Sequence, residues 1–487
     1  MTVGSVAKTV RTPSRDYLRA QEKWDLPRAL LGGTRAMRDK GEQYLPREYA
    51  EDALAYTVRL NRTVLFNAFA KTVRDMVGRM FTKPIQLGDD ASAKIKEWSE
   101  NIDLTGRDLN TFAFEVAVDA MTTGISFILA EMPPPLPEGA TKADEQELGQ
   151  RPYWVHVKTE DLIGWKSKTI GGCEVATQVR LLECVTEPDP AHPFEEVEIE
   201  QVRVLEPGRW ETWRKKGDSD TWERKDEGIT TVVTDRIPMV AVYFKRGGFY
   251  IGDPPFSDLA ELNCAHWQSA SDQKNILHVA RVPILFGAGW DEKDPIVIGA
   301  GTLARATSAD AKLSWVEHSG AAIEAGRSDL KDLELQMQAM GLQLLVSQPG
   351  QTATGEIRDD TKEISPLAMM ADSLEDALEE AYGLLSEFGG EKADVTVNVN
   401  RDFGASVFAS TDQTTLLAMA DSGYITHETL LREMQRRKVL ENDFEPEDEV
   451  EKLSGYDDGL DDEPTTGPGR TAEGEEGQSK VLPDPAA

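Results

Sequence analysis

The residues whose spacing most suggests chemistry form a glycine-rich turn after a short apolar run. Residues 296–298 precede Gly299-Ala300-Gly301, Ala304 completes a G-x-G-x-x-A pattern, and Glu317 lies sixteen residues beyond Gly301. Dinucleotide sites use such glycines because the backbone must approach a pyrophosphate at the start of a helix. Here no series of alternating strands and helices precedes the turn, and long helices follow it. The pattern therefore favours a tight turn in a small α/β module, with a dinucleotide-binding enzyme that uses Gly299 and Gly301 as the alternative.

Two other motifs lack the residues that their chemistry requires. Gly350 and Gly355 have the spacing of a phosphate-binding loop, but Glu356 and Ile357 follow where Lys and Ser/Thr must stand. A carboxylate at that position would repel phosphate. Ser271 is followed three residues later by Lys274, without the companion elements of a serine hydrolase of that class.

The histidines show no metal-binding spacing. No H-x₃-H or H-E-x-x-H pattern joins them, and the chain has no G-x-S-x-G segment; the six are His156, His192, His266, His278, His318 and His427. Acidic pairs such as Asp457-Asp458 fall in a segment with too few apolar residues to hold a catalytic geometry. We therefore predict that the chain is not an enzyme and holds no metal or cofactor.

The charge balance argues against tight binding to nucleic acid. The 487 residues carry 86 acidic and 53 basic side chains, a formal net charge of −33. Residues 441–487 hold sixteen acidic and three basic residues, so −13 of that charge lies there and −20 in the rest. Phosphate binding needs Lys and Arg to displace counterions, so this composition disfavours a protein that wraps DNA tightly. It is compatible with a protein past which DNA slides, and the alternative is that the charge serves solubility alone.

Cysteine usage favours a reducing compartment, and hydropathy predicts no membrane-spanning segment. Cys173, Cys184 and Cys264 form no C-x-x-C pair, and an odd number does not indicate a secreted disulfide framework. The first residues lack the apolar region of a signal peptide, and no apolar stretch approaches the length of about 20 residues needed to cross a membrane.

Sequence periodicity predicts a mixed α+β chain. Residues 1–47 are polar and predicted irregular, with surface turns at Trp24-Asp25-Leu26-Pro27 and Tyr44-Leu45-Pro46. Helices are predicted over 48–81, in two pieces, and over 108–123, where Gly124 ends the helix before a strand at 125–129. A Pro-rich loop is predicted over 132–150, and a β-rich meander, which includes a strand at 231–233, over 152–245.

The second half changes to long helices. A helix is predicted over 257–281, followed by a compact module over 283–316 with strands at 283–286, 296–298 and 313–316. A second helix with a one-sided apolar stripe is predicted over 328–346. After a polar loop, a third is predicted over 354–388, with a kink at Ser365-Pro366 because an interior proline removes a hydrogen bond. A strand at 395–399 and two helices at 413–420 and 426–439 complete the folded part, and an acidic disordered tail follows.

This order of elements resembles the core of portal proteins of tailed double-stranded-DNA bacteriophages. The matching residues include 254–263 at the start of the first long helix and 328–334 at the start of the second. Upstream, Trp24, Tyr44-Leu45-Pro46, residues 67–84 and Arg151-Pro152-Tyr153 are similar to a siphophage-type portal family of uncharacterised-domain origin. The likeness extends over about residues 15–440, and no single motif within it is diagnostic.

The resemblance implies a subunit divided into named regions. The wing would comprise residues 1–255, the stem helices 256–282 and 323–346, and the clip 283–322. The stretch 347–410 would hold the tunnel loop, the kinked helix and the return to the wing, 411–445 the crown, and 446–487 the disordered tail. Such proteins form rings, usually dodecamers, at the capsid vertex of the virion, and are made in the bacterial cytoplasm.

The same resemblance implies partners and site residues. The channel passes double-stranded DNA during genome packaging and ejection. The clip receives the terminase large subunit and later the head–tail adaptor, and the wing meets major capsid and scaffolding proteins. The implied DNA-channel loop contains Ser347, Gln348, Gln351, Thr352 and Thr354, and the implied motor-docking residues are Trp290, Asp291, Glu292 and Lys293. No membrane is involved, and the terminase supplies ATP hydrolysis.

Two physical points agree with a ring. Repeating the acidic surface around a channel would repel phosphate and let duplex DNA slide, and the uncharged loop at 347–354 could make transient contacts. The alternative for this loop is an ordinary solvated connector. Besides the dinucleotide enzyme, a further alternative for the chain is another capsid-associated protein, such as a scaffold or minor head protein, which assembles without a closed, channelled ring.

Overall fold

The computed structural model describes most of the chain as far as residue 401. The described residues are 9–133, 150–189, 191–217, 221–281, 284–289, 310–316, 320–341, 365–392, 394–401, 403, 430, 431 and 434. The chain divides into two compact units, 1–402 and 403–487, and the fold below is that of the first. The predicted crown helices and acidic tail lie outside the described residues, apart from helical positions 430, 431 and 434. No helix in the described ranges is long and apolar enough to cross a membrane.

The N-terminal region is helical, which corrects the prediction of an irregular segment. Helix α1 covers Arg15–Leu31 and α2 covers Gly33–Lys40, followed by a 3-10 turn at Gly41–Gln43. The side chain of Ser14 caps α1 by accepting a hydrogen bond from the backbone N–H of Tyr17. Pro27 lies inside α1 and made the segment look like a turn. The burial of Tyr17 and Trp24 on one stripe of the helix offsets the cost of that proline, about 3 kcal/mol.

The next four helices follow the predicted order. Two pieces within the predicted 48–81 are confirmed as α3 (Ala53–Arg62) and α4 (Ala68–Met80), and α5 (Ala93–Ser99) and α6 (Leu109–Thr123) follow. Asp108 caps α6, and Gly124 ends it in the left-handed conformation with φ of 86°. A Cβ at Gly124 would lie 2.3 Å from the backbone oxygen of Asp253, so only glycine fits there.

Two antiparallel sheets confirm the predicted β-rich region. A three-stranded sheet has the order β3-β2-β9, from Ile125–Glu131 (β2), Tyr153–Val157 (β3) and Met239–Tyr243 (β9). A five-stranded sheet runs in sequence order through Leu162–Ile170 (β4), Cys173–Pro188 (β5), Glu196–Glu206 (β6), Arg209–Lys215 (β7) and Trp222–Ile229 (β8). The strand predicted at 231–233 is wrong. That segment is a loop, and Val233 is fully buried within it, so its apolar character reflects packing and not strand pairing.

The remaining elements form short pairings and three long helices. A small hairpin joins β10 (Arg246–Gly248) to β11 (Ile251–Gly252), and the long helices are α7 (Ser257–Ala280), α8 (Ala321–Gly341) and α9 (Pro366–Gly389). Between α7 and α8, β12 (Ile284–Ala288) pairs antiparallel with β13 (Lys312–Val316). After α9 the chain returns to the N-terminal region, where β14 (Val397–Asn398) pairs with β1 (Gln86–Leu87).

The core consists of layers around the three-stranded sheet. One face of this sheet, with Phe127 and Leu129, packs on the five-stranded sheet. The other face packs on α6 and α9, where the Trp154 ring lies 5.6 Å from that of Phe112 and 4.7 Å from that of Tyr382. Helix α1 covers the outer face of the five-stranded sheet through Trp24. The α+β class is therefore confirmed.

Two helix limits differ from the prediction. Helix α8 begins at Ala321 and not at residue 328, so Ser328 lies inside it. Helix α9 begins at Pro366, and the extended Ser365 caps it by accepting a hydrogen bond from the N–H of Ala368. The predicted kink at Ser365-Pro366 is therefore wrong: proline occupies the first helical turn, where its missing N–H costs nothing, and the helix does not run through Ser365.

Candidate functional site

Helices α7 and α8 form an antiparallel pair that carries the β12–β13 ribbon at its far end; we call these three parts the stalk (residues 257–341). Three contacts fix the antiparallel register. The side chain of Ser269 donates to Asp329 at 2.8 Å, that of Gln273 donates to the carbonyl of Ile323 at 2.8 Å, and His266 lies 3.5 Å from Glu334. The two strands of the ribbon pair over five residues each.

The first half of α7 is embedded in the body of the subunit. Asn263 is fully buried, and its amide accepts from the N–H of Phe69 at 2.9 Å and donates to the carbonyl of Phe66 at 2.8 Å. One side chain thus satisfies two backbone groups at the start of α4. Trp267, one turn later, is also fully buried. The stalk is therefore anchored at its base by specific contacts.

A buried polar cluster completes the anchor. Ser271 is hydrogen bonded to Thr63 at 2.9 Å and accepts from the guanidinium of Arg59 at 3.3 Å. Arg59 is paired with Glu51 at 2.8 Å and donates to the carbonyl of Pro46 at 2.8 Å. Because the charge of Arg59 is paired and hydrogen bonded, it can be buried between α3 and α7.

Beyond Ser271 the stalk leaves the body. None of the described side chains of α7 after Ser271 is buried, and in α8 only Met337 and the backbone around Gly341 are. On this outer part the apolar side chains of Ile276, Leu277 and Ile323 are half-buried. Nearer the base, on α8, Leu330 and Leu333 are half-buried and Leu335 is 63% exposed. A two-helix pair capped by a two-stranded ribbon buries too little apolar surface to be stable alone. Its apolar side chains need lateral partners.

The stalk is acidic. Helix α7 carries three acidic residues and one lysine, and α8 carries four acidic residues, one arginine and one lysine, a net charge of −4 from the seven acids and three bases. His266 is buried between the helices, and this burial lowers its pKa, so its ring is neutral at pH 7. Nothing in the charge of the two helices favours phosphate binding.

The residues that the sequence singled out as sites lie outside the described residues. This holds for the channel loop (Ser347, Gln348, Gln351, Thr352 and Thr354), for the docking residues (Trp290, Asp291, Glu292 and Lys293) and for Gly299 and Gly301. The strands on either side of the glycine turn pair antiparallel with each other. The parallel sheet that the dinucleotide alternative predicts around residue 297 lies outside the described residues.

The sequence did not lead us to predict the hydrogen bonds of Asn263 at the base of the stalk, although it carries a signal for them. Asn263 lies four residues after Leu259 and four before Trp267, on the buried stripe of α7 that faces the body. A polar residue on a buried stripe indicates a specific hydrogen-bonded partner. Among the described residues, one group could hold a metal: Asp189, His192 and Glu195 place ligand atoms within 4.8 Å of one another on an exposed turn.

Comparison with known proteins identifies one family model that matches part of the chain and several similar structures from gene transfer agent particles. Residues 255–389 match the family model DUF4055, a domain of unknown function. Three similar solved structures come from the neck of an empty GTA particle computed with C6 symmetry, the virion of a native gene transfer agent (GTA) particle, and the neck of a native GTA particle computed with C12 symmetry. They are 11%, 10% and 10% identical, with TM-scores of 0.37, 0.35 and 0.36, and each alignment covers 74% of this chain and 88% of the other. No curated protein matches the chain.

The family match, to an uncharacterised domain, begins at the base of α7 and ends with α9. It therefore covers the two predicted stem helices and the segment between them.

Proposed function

We propose that this chain is the subunit of a phage portal ring, a non-enzymatic conduit for double-stranded DNA at the capsid vertex. The observation that carries the proposal is the stalk. It is anchored in the body by Asn263 and Ser271, yet leaves apolar side chains uncovered along its length, such as the half-buried Ile276 on the outer part and the exposed Leu335 on α8. Neighbouring copies arranged around an axis would cover these side chains, since each stalk would lie between two others.

In such a ring the stalks would form the wall of the channel. The net charge of −4 on each helical pair would be repeated around the axis, so the wall would repel phosphate and DNA would slide without being held. The segment 347–354 would line the channel, and the segment that contains 290–293 would face the packaging motor and later the head–tail adaptor. Capsid and scaffolding proteins would contact the wing, residues 1–255.

The test is the assembly of the purified chain, imaged by negative-stain electron microscopy and weighed by mass photometry. We expect channelled rings near twelve times the subunit mass of 53.8 kDa. The same measurement is made after co-expression with the capsid and scaffolding proteins of the same genome. Monomers or open assemblies under both conditions would contradict the proposal.

A pair of variants at one position tests the role of the stalk. Leu335→Ser removes an exposed apolar side chain, so it should lower the ring fraction several-fold, whereas Leu335→Met keeps the apolar contact and should assemble like the parent. Equal assembly of the two variants would show that this face of the stalk is not covered in the ring. NAD is titrated into the same samples, and saturable binding would favour the dinucleotide enzyme instead.

A further inference from the structure

The hairpin of β5 and β6 ends in an exposed acidic tip; we call residues 187–198 the tip. The ring of Phe194 is 100% exposed, and Val197 beside it is 42% exposed. Around them stand Glu195, Glu196 and Glu198, all exposed. No described residue forms an ion pair with Glu196 or Glu198. The tip therefore offers an exposed aromatic ring and a half-exposed valine for apolar contact, together with the negative charges of Glu196 and Glu198.

A cleft with complementary chemistry lies where β4 and β5 begin their hairpin beside α1. Its volume is about 570 Å³, and the partly buried side chains of Trp165, Phe249 and Ile251 form its apolar wall. Lys166 and Lys168 stand at its rim and are exposed. An aromatic side chain with flanking carboxylates would find an apolar wall and two cations there.

The carboxylates of the cleft are engaged, and its lysines are not. Glu174 accepts a hydrogen bond from Ser167 at 2.6 Å, and Asp16 lies 3.7 Å from Arg19. Within the described part of the chain, neither Lys166 nor Lys168 has an ion-pair partner. In a protein with a net charge of −33, two cations left without partners beside an aromatic wall mark a surface for an acidic ligand.

A subunit cannot fill its own cleft. Glu174 and Thr177 line the cleft near the start of β5, whereas the tip begins at the other end of the same strand, at about Pro188. Eleven to fourteen residues of extended strand separate the two surfaces by about 36–46 Å. The hairpin is paired to its end, so it cannot fold back.

We propose that the tip of one copy docks into the cleft of the next, with Phe194 against Trp165 and Phe249 and the glutamates on Lys166 and Lys168. Two different surfaces then meet at each contact, and such a head-to-tail interface generates a closed ring when the rotation between copies closes. This inference rests on the proposed ring and identifies the surfaces that would join neighbouring bodies.

Cysteine cross-linking tests the contact directly. Thr177→Cys in the cleft and Ala191→Cys on the tip, which leaves Phe194 and the glutamates in place, are introduced into a chain whose exposed cysteines are removed by Cys173→Ser and Cys184→Ser. Mixing the two single-site proteins should give one disulfide-linked dimer under oxidising conditions, and the double-site protein should give a ladder up to the ring. Neither single-site protein alone should cross-link. Rings seen by electron microscopy without cross-links would overturn the docking but leave the portal proposal intact, whereas the absence of rings would count against the portal proposal itself.

Charge reversal adds a readout that does not depend on cysteine reactivity. Glu196→Lys with Glu198→Lys on the tip, and Lys166→Glu with Lys168→Glu in the cleft, should each weaken assembly at least tenfold. Combining all four should restore most of it, because the pairs then attract with reversed signs. The control reverses two exposed acids elsewhere, Glu100→Lys with Asp226→Lys, and should leave assembly within about twofold of the parent. Equal loss in the tip pair and the control pair, or no recovery in the fourfold variant, would overturn the docking.

Discussion

A single amide at the base of the stalk holds two backbone groups that would otherwise be buried without partners. Asn263→Ala removes the bonds to Phe69 and Phe66, so we expect the free energy of unfolding to fall by about 2–4 kcal/mol. Asn275→Ala, on the exposed face of the same helix, is the control and should change it by less than about 0.5 kcal/mol. Urea denaturation followed by tryptophan fluorescence measures both, since Trp267 lies one turn from Asn263. Equal midpoints would show that the amide is not an anchor.

One carboxyl group makes the fold sensitive to pH. Burial, and then the neighbouring Glu160, raise the pKa of Asp161 to about 6 from its ordinary value of 3.8. The folded state therefore holds this proton more tightly than the unfolded state. The stabilisation of the fold by the protonated Asp161 carboxyl is fully present below about pH 4, and it is lost as the pH rises through about 6. Asp161→Asn should reduce the decline of the unfolding free energy between pH 4 and pH 6 by about 1–2 kcal/mol, after allowance for solvent screening. Asp39→Asn, at an exposed site, serves as the control, and an unchanged decline in Asp161→Asn would contradict the prediction.

At the level of elements, Gly326 of α8 leaves room for the side chain of Gln273 from α7. A Cβ at Gly326 would lie 2.3 Å from the side-chain oxygen of Gln273, whereas Gly383 in α9 has no atom within 4 Å of its Cβ position. Alanine favours a helix over glycine by about 1 kcal/mol. Gly383→Ala should therefore stabilise the protein. Gly326→Ala should lose that gain, because it displaces Gln273 from the carbonyl of Ile323.

Hydrogen exchange gives this comparison a local readout. We expect faster amide exchange near residue 323 in Gly326→Ala and no change there in Gly383→Ala. If both variants raise the melting temperature equally and leave exchange unchanged, the contact between Gln273 and Ile323 does not hold the helices together.

Elements whose ends carry their own signals could be predicted from the sequence, and those that depend on distant packing could not. Asp108 and Gly124 bound α6 by local capping and backbone geometry, so the prediction is confirmed. Helix α1 was missed because Pro27 argues locally against a helix, and only its burial against the five-stranded sheet outweighs that preference. The order of the stalk elements could be predicted from the sequence. The hydrogen bonds of Asn263 could not, because their partners near α4 are distant in the chain. The channel and clip residues remain predictions.

For the whole molecule, the negative net charge makes copies repel one another and so opposes assembly, and salt should weaken this repulsion. Each chain carries −33, so neighbouring copies repel one another over the Debye length, which shrinks from about 30 Å at 0.01 M to about 10 Å at 0.1 M salt. The lysine–glutamate contacts proposed between copies lie at an exposed rim, where each pair contributes about 1 kcal/mol at most. We therefore expect repulsion to dominate and the ring fraction to rise with salt, measured by mass photometry at about 10, 100 and 400 mM NaCl.

A shortened chain separates this repulsion from other effects of salt. Ending the chain at residue 440 lowers its net charge from −33 to −20, because −13 lies beyond that point. Repulsion between like copies scales with the square of the charge, so its salt dependence should fall to about 0.4 of that of the full chain. An effect of salt on apolar burial would instead be equal in the two chains, because the stalk is present in both. If rings weaken as salt rises in both chains, attraction between opposite charges on neighbouring copies outweighs the net repulsion, and the acidic surface does not limit assembly.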